Sequence, residues 1–200
     1  MKGLLLKDYY MTVKYCRMLI LMVLIFAAAS AVSNSIFLIS YPFIIAGVLP
    51  VSLYAYDEKS GWCSYADAMP YSRAQQVSAK YISALVFICL VMLICTVGKA
   101  ITSHSFIEDF SLLVMLCGTG LLSAAVLLPF VLKFGSEKGR WAYYAVIIIA
   151  CVIAAAVFDT GSAVGSILTG TAAACILAGC VLLFGLSWRV SIKIYEKREL

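Results

Sequence analysis

Residues able to carry out chemistry are few in this chain, and they stand apart from one another. The only histidine, His104, precedes Glu108 and Asp109. Such a set could hold a metal or relay a proton, but three polar side chains in a short water-facing loop read first as solvated. Of the 8 cysteines, Cys89, Cys95, Cys117, Cys151, Cys175 and Cys180 lie inside apolar runs, without CxxC spacing or histidine partners. They read as small packing residues with free thiols. The chain has no HExxH pattern for zinc, no GxSxG nucleophile turn and no GxxxxGK[ST] phosphate loop. No catalytic residue, bound cofactor or metal is therefore expected of it, and any ATP-driven cycle needs a separate protein.

The longest hydrophilic segment, Asp57 to Lys80, is the more informative one. Trp62, Tyr65, Ala66 and Met69 fall at i, i+3, i+4 and i+7, one apolar face of a helix. Asp57 and Glu58 stand where that helix would begin, a position in which carboxylates favour the helix dipole. Pro70 would end it, and Ser72 is placed to cap a following helix that starts near Arg73. A helix exposing Trp and Tyr on one side must bury them against the membrane interface or against another protein. The spacing alone leaves both open.

The elements that position this segment follow from composition. At 64% hydrophobic and 12% charged, the chain departs far from the roughly 45–50% and 25% of soluble domains. Its formal net charge of +5 does not suggest nucleic acid, because the cations sit in short gaps between apolar runs and not on one hydrated face. A bilayer core takes about 20 apolar helical residues, and such runs recur at about 18–35, 36–56, 77–98, 110–132, 141–158 and 163–188. Lys80 is assigned to the cytoplasmic end of the third run, which leaves the span interiors uncharged and without the ionisable groups of proton relays or voltage sensors.

Orientation follows from the loops. Of the 15 Lys and Arg residues, only Lys99 falls on one side and the other fourteen on the opposite side, which places both termini in the cytoplasm. Tyr54, Tyr56, Trp62, Trp141, Tyr143, Tyr144 and Trp188 are expected near the inner interface. Before the first span, Leu6, Tyr9, Tyr10 and Val13 form an apolar stripe with Lys7 and Lys14 away from it, the pattern of an interfacial helix over 1–17. A cleaved signal peptide ending in Ala27 to Ala31 is the rival reading, and it would invert the charge bias. The expected fold is an all-α integral membrane protein with six transmembrane helices, an N-terminal interfacial helix and a cytoplasmic helix over 57–70.

The run Asp57-Glu-Lys-Ser-Gly-Trp62, then Tyr65, Met69-Pro-Tyr-Ser-Arg73, Val77 and Lys80-Tyr81 resembles the small bacterial ABC-2 type permeases. That family includes the membrane subunits of exporters for amphipathic toxin peptides such as phenol-soluble modulins. The opening Leu-Leu-Lys7-Asp8 before an aromatic is similar too, while Met69 stands where Leu is usual. The outer loop before the last span, Asp159 to Ser162, is too short to place the re-entrant element of larger relatives.

The resemblance implies a permease subunit in the bacterial plasma membrane, exporting cargo with a separate cytoplasmic ABC ATPase in two copies that binds ATP and Mg. It implies that 57–70 is the coupling helix contacting that ATPase, with Trp62 and Tyr65 as anchors, Asp57, Glu58 and Arg73 orienting the contact, and Lys59 and Met69 within it. A second permease chain, expected as a homodimer, completes the path. Small residues recur at Gly161 and Gly165, and at Ser166, Gly170, Ala174 and Ala178, faces suited to close helix packing. The uncharged apolar spans suit hydrophobic or amphipathic cargo. A non-transporting sensor, immunity or assembly subunit would share the topology without a docking helix.

Overall fold

The computed structural model describes residues 2–32, 36–68, 72–102, 110, 113–114, 116–136 and 170–196, and all the regular structure among them is helical. The elements are α1 (Lys2–Tyr15), α2 (Arg17–Val32), α3 (Ile36–Lys59), α4 (Trp62–Asp67), α5 (Arg73–Thr102), α6 (Leu116–Ser136) and α7 (Gly170–Glu196). Four of them, over Leu38–Lys59, Arg73–Ile101, Leu116–Ser136 and Leu177–Glu196, are long and apolar enough to cross a membrane. At 30 residues, α5 is about 45 Å long at 1.5 Å per residue and outreaches a core of about 30 Å. One of its ends must therefore stand clear of the hydrocarbon.

α1 and α2 meet at an angle of 77° across Cys16. No proline or glycine causes this bend. Thr12 Oγ1 donates to the Asp8 carbonyl at 2.7 Å, and hydroxyl back-bonding of this kind weakens a helical turn. The stripe of Leu6, Tyr9, Tyr10 and Val13 faces away from the protein, whereas Leu4, Asp8 and Thr12, spaced four apart, are buried. α1 thus turns its apolar face outward and its aspartate inward, the reverse of a water-surface helix.

α2, α3 and α5 pack on one another, and α7 packs on α5. Phe43 and Ala46 of α3, Tyr81, Ala84 and Ile88 of α5, Ala124 and Leu128 of α6, and Phe184 of α7 share one core. Pro42 and Pro50 lie inside α3 without ending it, because bundle contacts can satisfy the carbonyls they free. A Cβ on Gly120 would come within 2.9 Å of the Phe43 carbonyl oxygen, and one on Gly47 would meet Ser123 Oγ and the Gly120 carbonyl. Both glycines let α3 and α6 touch backbone to backbone. The small-residue packing expected of the last span thus has a counterpart here, while Gly161, Gly165 and Ser166 of that series lie outside the described residues.

Several expectations are corrected. Asp57, Glu58 and Lys59 are the last turn of α3 and not the start of a helix over 57–70; the turn at Ser60 and Gly61 separates them from α4. Lys80, 7% exposed, is buried two turns into α5 by contacts with other helices, and Lys99 is buried near its other end. Tyr54 is buried in the core. Trp188 stacks on Tyr81 with ring centroids 5.5 Å apart and planes 8° apart. The span expected over 141–158, the residues His104, Glu108 and Asp109, and Met69 and Pro70 all lie outside the described residues.

Candidate functional site: the elbow between α3, α4 and α5

The segment singled out by its sequence forms an elbow. α3 runs to Lys59, Gly61 turns the chain with φ 71, and α4 occupies Trp62–Asp67. Only glycine adopts this left-handed conformation without steric cost. α5 then starts under a reciprocal cap: the Gln75 N–H donates to Ser72 Oγ at 3.3 Å, and the Ser72 N–H donates to Gln75 Oε1 at 3.3 Å. This is a capping box, with the N3 residue reaching back to the N-cap. It fixes the first turn of α5.

Inside the elbow sits a group of charges drawn from three helices. Lys80 Nζ of α5 donates to Asp57 Oδ2 of α3 at 2.7 Å and to Asp8 Oδ1 of α1 at 2.7 Å. Lys7 Nζ of α1 donates to Asp57 Oδ1 at 2.7 Å and lies 3.6 Å from Asp8 Oδ1. Two cations and two anions make the group neutral, which is how buried charges are tolerated. Asp57 stands at the C-terminus of α3, where the helix dipole disfavours a carboxylate, and two ammonium groups offset that. Burial, then the charge of Lys80, pulls the Lys7 ammonium below the ordinary lysine value of 10.5, against the opposing pull of Asp57 and Asp8. A small cavity beside the group is bordered by Lys7, Asp8, Asp57, Trp62, Gln76 and Lys80.

The other expected site residues disperse around this centre. Glu58 turns away from α4: its Oε2 accepts from the Ser136 N–H at 2.6 Å, tying the end of α3 to the end of α6. Gly135, with φ 83, makes that approach possible, because a Cβ there would lie 2.9 Å from Glu58 Oε1. Arg73 Nη1 donates to the Glu196 carbonyl at 3.4 Å, at the end of α7. Lys59 is exposed. In α4, Ala66 is fully buried while Tyr65 is 58% exposed, and the Trp62 and Tyr65 rings are 5.6 Å apart. The apolar face read from the spacing is therefore split between a buried root and an outward aromatic.

A second lock closes the elbow from α7. Ser187 Oγ donates to the Ala125 carbonyl at 2.5 Å, and its oxygen lies 2.8 Å from the Tyr81 hydroxyl, which lies 2.7 Å from Ser191 Oγ. Because Ser187 spends its proton on Ala125, Tyr81 must donate to Ser187 and accept from Ser191. The proton order runs from Ser191 through Tyr81 and Ser187 to Ala125, joining α7, α5 and α6 in one chain. Trp188 Nε1 adds a bond to Ser78 Oγ at 3.1 Å.

Residues Lys7, Asp8 and Lys80 were not foreseen as one site. The sequence signals were present: a charged pair on the face of α1 opposite its apolar stripe, and a lysine within the apolar advance of α5. Spacing could not reveal that they meet. The arrangement holds no nucleophile paired with a base, and among the described residues no three His, Cys, Asp or Glu side chains could hold a metal ion. Five cysteines, Cys16, Cys89, Cys95, Cys117 and Cys180, are free thiols. What this geometry does is hold helices together.

Apolar helices of membrane-spanning length, joined by a rigid elbow, define a multi-pass helical membrane protein. Residues 3–196 match the family model described as ABC-2 family transporter protein, so the chain belongs to the ABC-2 transporter family and is a membrane permease of ABC transport. Membrane proteins of this family work with an ATPase and typically lack an ATPase site of their own. No curated protein sequence matches the chain.

Proposed function

We propose that this protein is the permease subunit of an ATP-driven exporter of hydrophobic or amphipathic cargo, in which the α3–α4–α5 elbow docks on a separate cytoplasmic ABC ATPase. The observation that carries the reading is the asymmetry of α4. Ala66 is fully buried against the bundle while Tyr65, 58% exposed, projects outward from the same short helix. An outward aromatic on a firmly rooted element has the character of an interface hot spot. The roots are stiff: α3 ends in the buried ion group, and α5 begins in the capping box. A load on α4 therefore acts next to the firmly held end of α3.

Cytoplasmic placement of the elbow and of both termini, in a bacterial plasma membrane, is supported by the lysine and arginine bias of the loops. α1, with its apolar stripe outward and its axis bent from α2, suits a place in the inner interface. Two permease chains, as a homodimer, and two ATPases would complete the machine, since one such chain has too few helices to enclose a path. Cytolytic or antimicrobial peptides fit the apolar character of the spans.

Vanadate-sensitive ATPase activity in the complex purified from gently solubilised membranes tests this reading. Activity that accompanies the wild-type chain and is lost with Trp62→Ala and Tyr65→Ala supports it. A chain that brings no ATPase with it belongs instead to a sensor or assembly complex. Reconstituted transport of a strongly hydrophilic solute would overturn the cargo class.

A further inference from the structure

α4 poses a problem that the elbow alone does not solve. It has 6 residues, and its N-cap is Gly61 with no side-chain hydrogen bond. So short a helix has little stability of its own, and its first residue is Trp62, the proposed anchor. Something outside α4 must hold that ring. Lys7, on a helix separated from it by more than fifty positions, places its Nζ 4.4 Å from the centroid of the Trp62 ring.

We infer that Lys7 of α1 is a positioning residue that sets the orientation of Trp62 for docking. The inference rests on the docking reading above and deepens it. The ammonium is itself held in place, because Asp57 Oδ1 accepts from it at 2.7 Å and Asp8 Oδ1 lies at 3.6 Å. With its side chain only 20% exposed, it is largely removed from water, the condition under which a cation on an indole face counts most. Lys80 fixes the two aspartates from behind, at 2.7 Å from each. The order of command is thus Lys80 to Asp57 and Asp8, these to Lys7, and Lys7 to Trp62. By this route α1 takes part in docking without touching the partner.

The test substitutes Lys7→Met, which keeps the stem and removes the charge, and Lys7→Arg, which keeps a cation able to pair with carboxylate and indole alike. Protein labelled with 5-fluorotryptophan gives a 19F resonance for Trp62, assigned with Trp62→Phe. The expected result is that Lys7→Met moves the Trp62 resonance and lowers ATPase co-purification at least tenfold, and that Lys7→Arg restores both. A Lys7→Met protein that loses thermal stability but keeps the wild-type Trp62 resonance and ATPase association overturns the inference. Should Lys7→Met fail to fold, Lys7→Gln is read in the same way. Retention of the ATPase by Trp62→Ala with Tyr65→Ala sinks the docking reading itself, and the 19F result stands apart from that outcome.

Discussion

Lys80 Nζ lies 2.7 Å from Asp57 Oδ2, joining the first turns of α5 to the last turn of α3 inside the protein. The same ammonium lies 2.7 Å from Asp8 Oδ1, so one lysine holds three helices. The two ends of the elbow cannot separate without exposing an unpaired charge to an apolar surrounding. This makes the elbow a rigid corner in place of a hinge.

Replacing Lys80 with methionine removes the common partner of two buried carboxylates. Breaking a buried pair from one side costs about 3–5 kcal/mol, a large share of the stability of any domain. Thermal unfolding in detergent should show this loss for Lys80→Met. It should show a much smaller loss when Lys80→Met is combined with Asp8→Asn, because Lys7 and Asp57, 2.7 Å apart, then remain as one neutral pair. Equal losses in both proteins would mean that the lysine stem, and not its charge, is what matters.

Gly61 and Gly135 separate backbone strain from crowding. Both adopt positive φ, but a Cβ on Gly61 meets open space while one on Gly135 meets Glu58 Oε1 at 2.9 Å. Gly61→Ala should cost about 1–2 kcal/mol from the left-handed conformation alone. Gly135→Ala should cost more, since it also disturbs the carboxylate that accepts from the Ser136 N–H at 2.6 Å. Melting temperatures of the two variants, measured side by side, check the order. The Gly61 variant should also lose ATPase association out of proportion to its stability, because that turn sets the direction of α4.

Tyr81→Phe keeps the ring stacked on Trp188 and deletes the hydroxyl at the centre of the chain from Ser191 to Ala125. Ser191 is fully buried and would lose its acceptor, at a cost of about 1–3 kcal/mol. Ser187→Ala cuts the same chain one step further along. The double substitution should therefore cost clearly less than the two single losses added, as expected of neighbours in one network. Additive losses in chemical or thermal unfolding would show that the hydroxyls act separately.

Much of this protein was legible in its residues. The apolar runs between Ile36 and Tyr56 and between Val77 and Gly98 foretold α3 and α5, because a backbone in hydrocarbon must satisfy its own hydrogen bonds and a helix does so locally. Ser72 signalled the start of α5 in the same local way, through a side chain that reaches only its own turn. The helix read over 57–70 failed at its beginning for an instructive reason. Asp57 and Glu58 carry the sign that favours a helix start, and partners from other elements, Lys7, Lys80 and the Ser136 N–H, stabilise them at a helix end.

The sequence by itself determined that the chain is helical and lives in a membrane, and it marked the loop with the aromatic pair Trp62 and Tyr65, since these properties follow from local composition and spacing. Tertiary structure alone decided that Lys7, Asp8, Asp57 and Lys80 form one neutral group, that α1 turns its aspartate inward, and that Gly47 and Gly120 bring α3 against α6. The physical reason is distance along the chain. Each charge is stabilised by partners up to 72 positions away, and no local pattern can state which far residues will meet until the helices that carry them have packed.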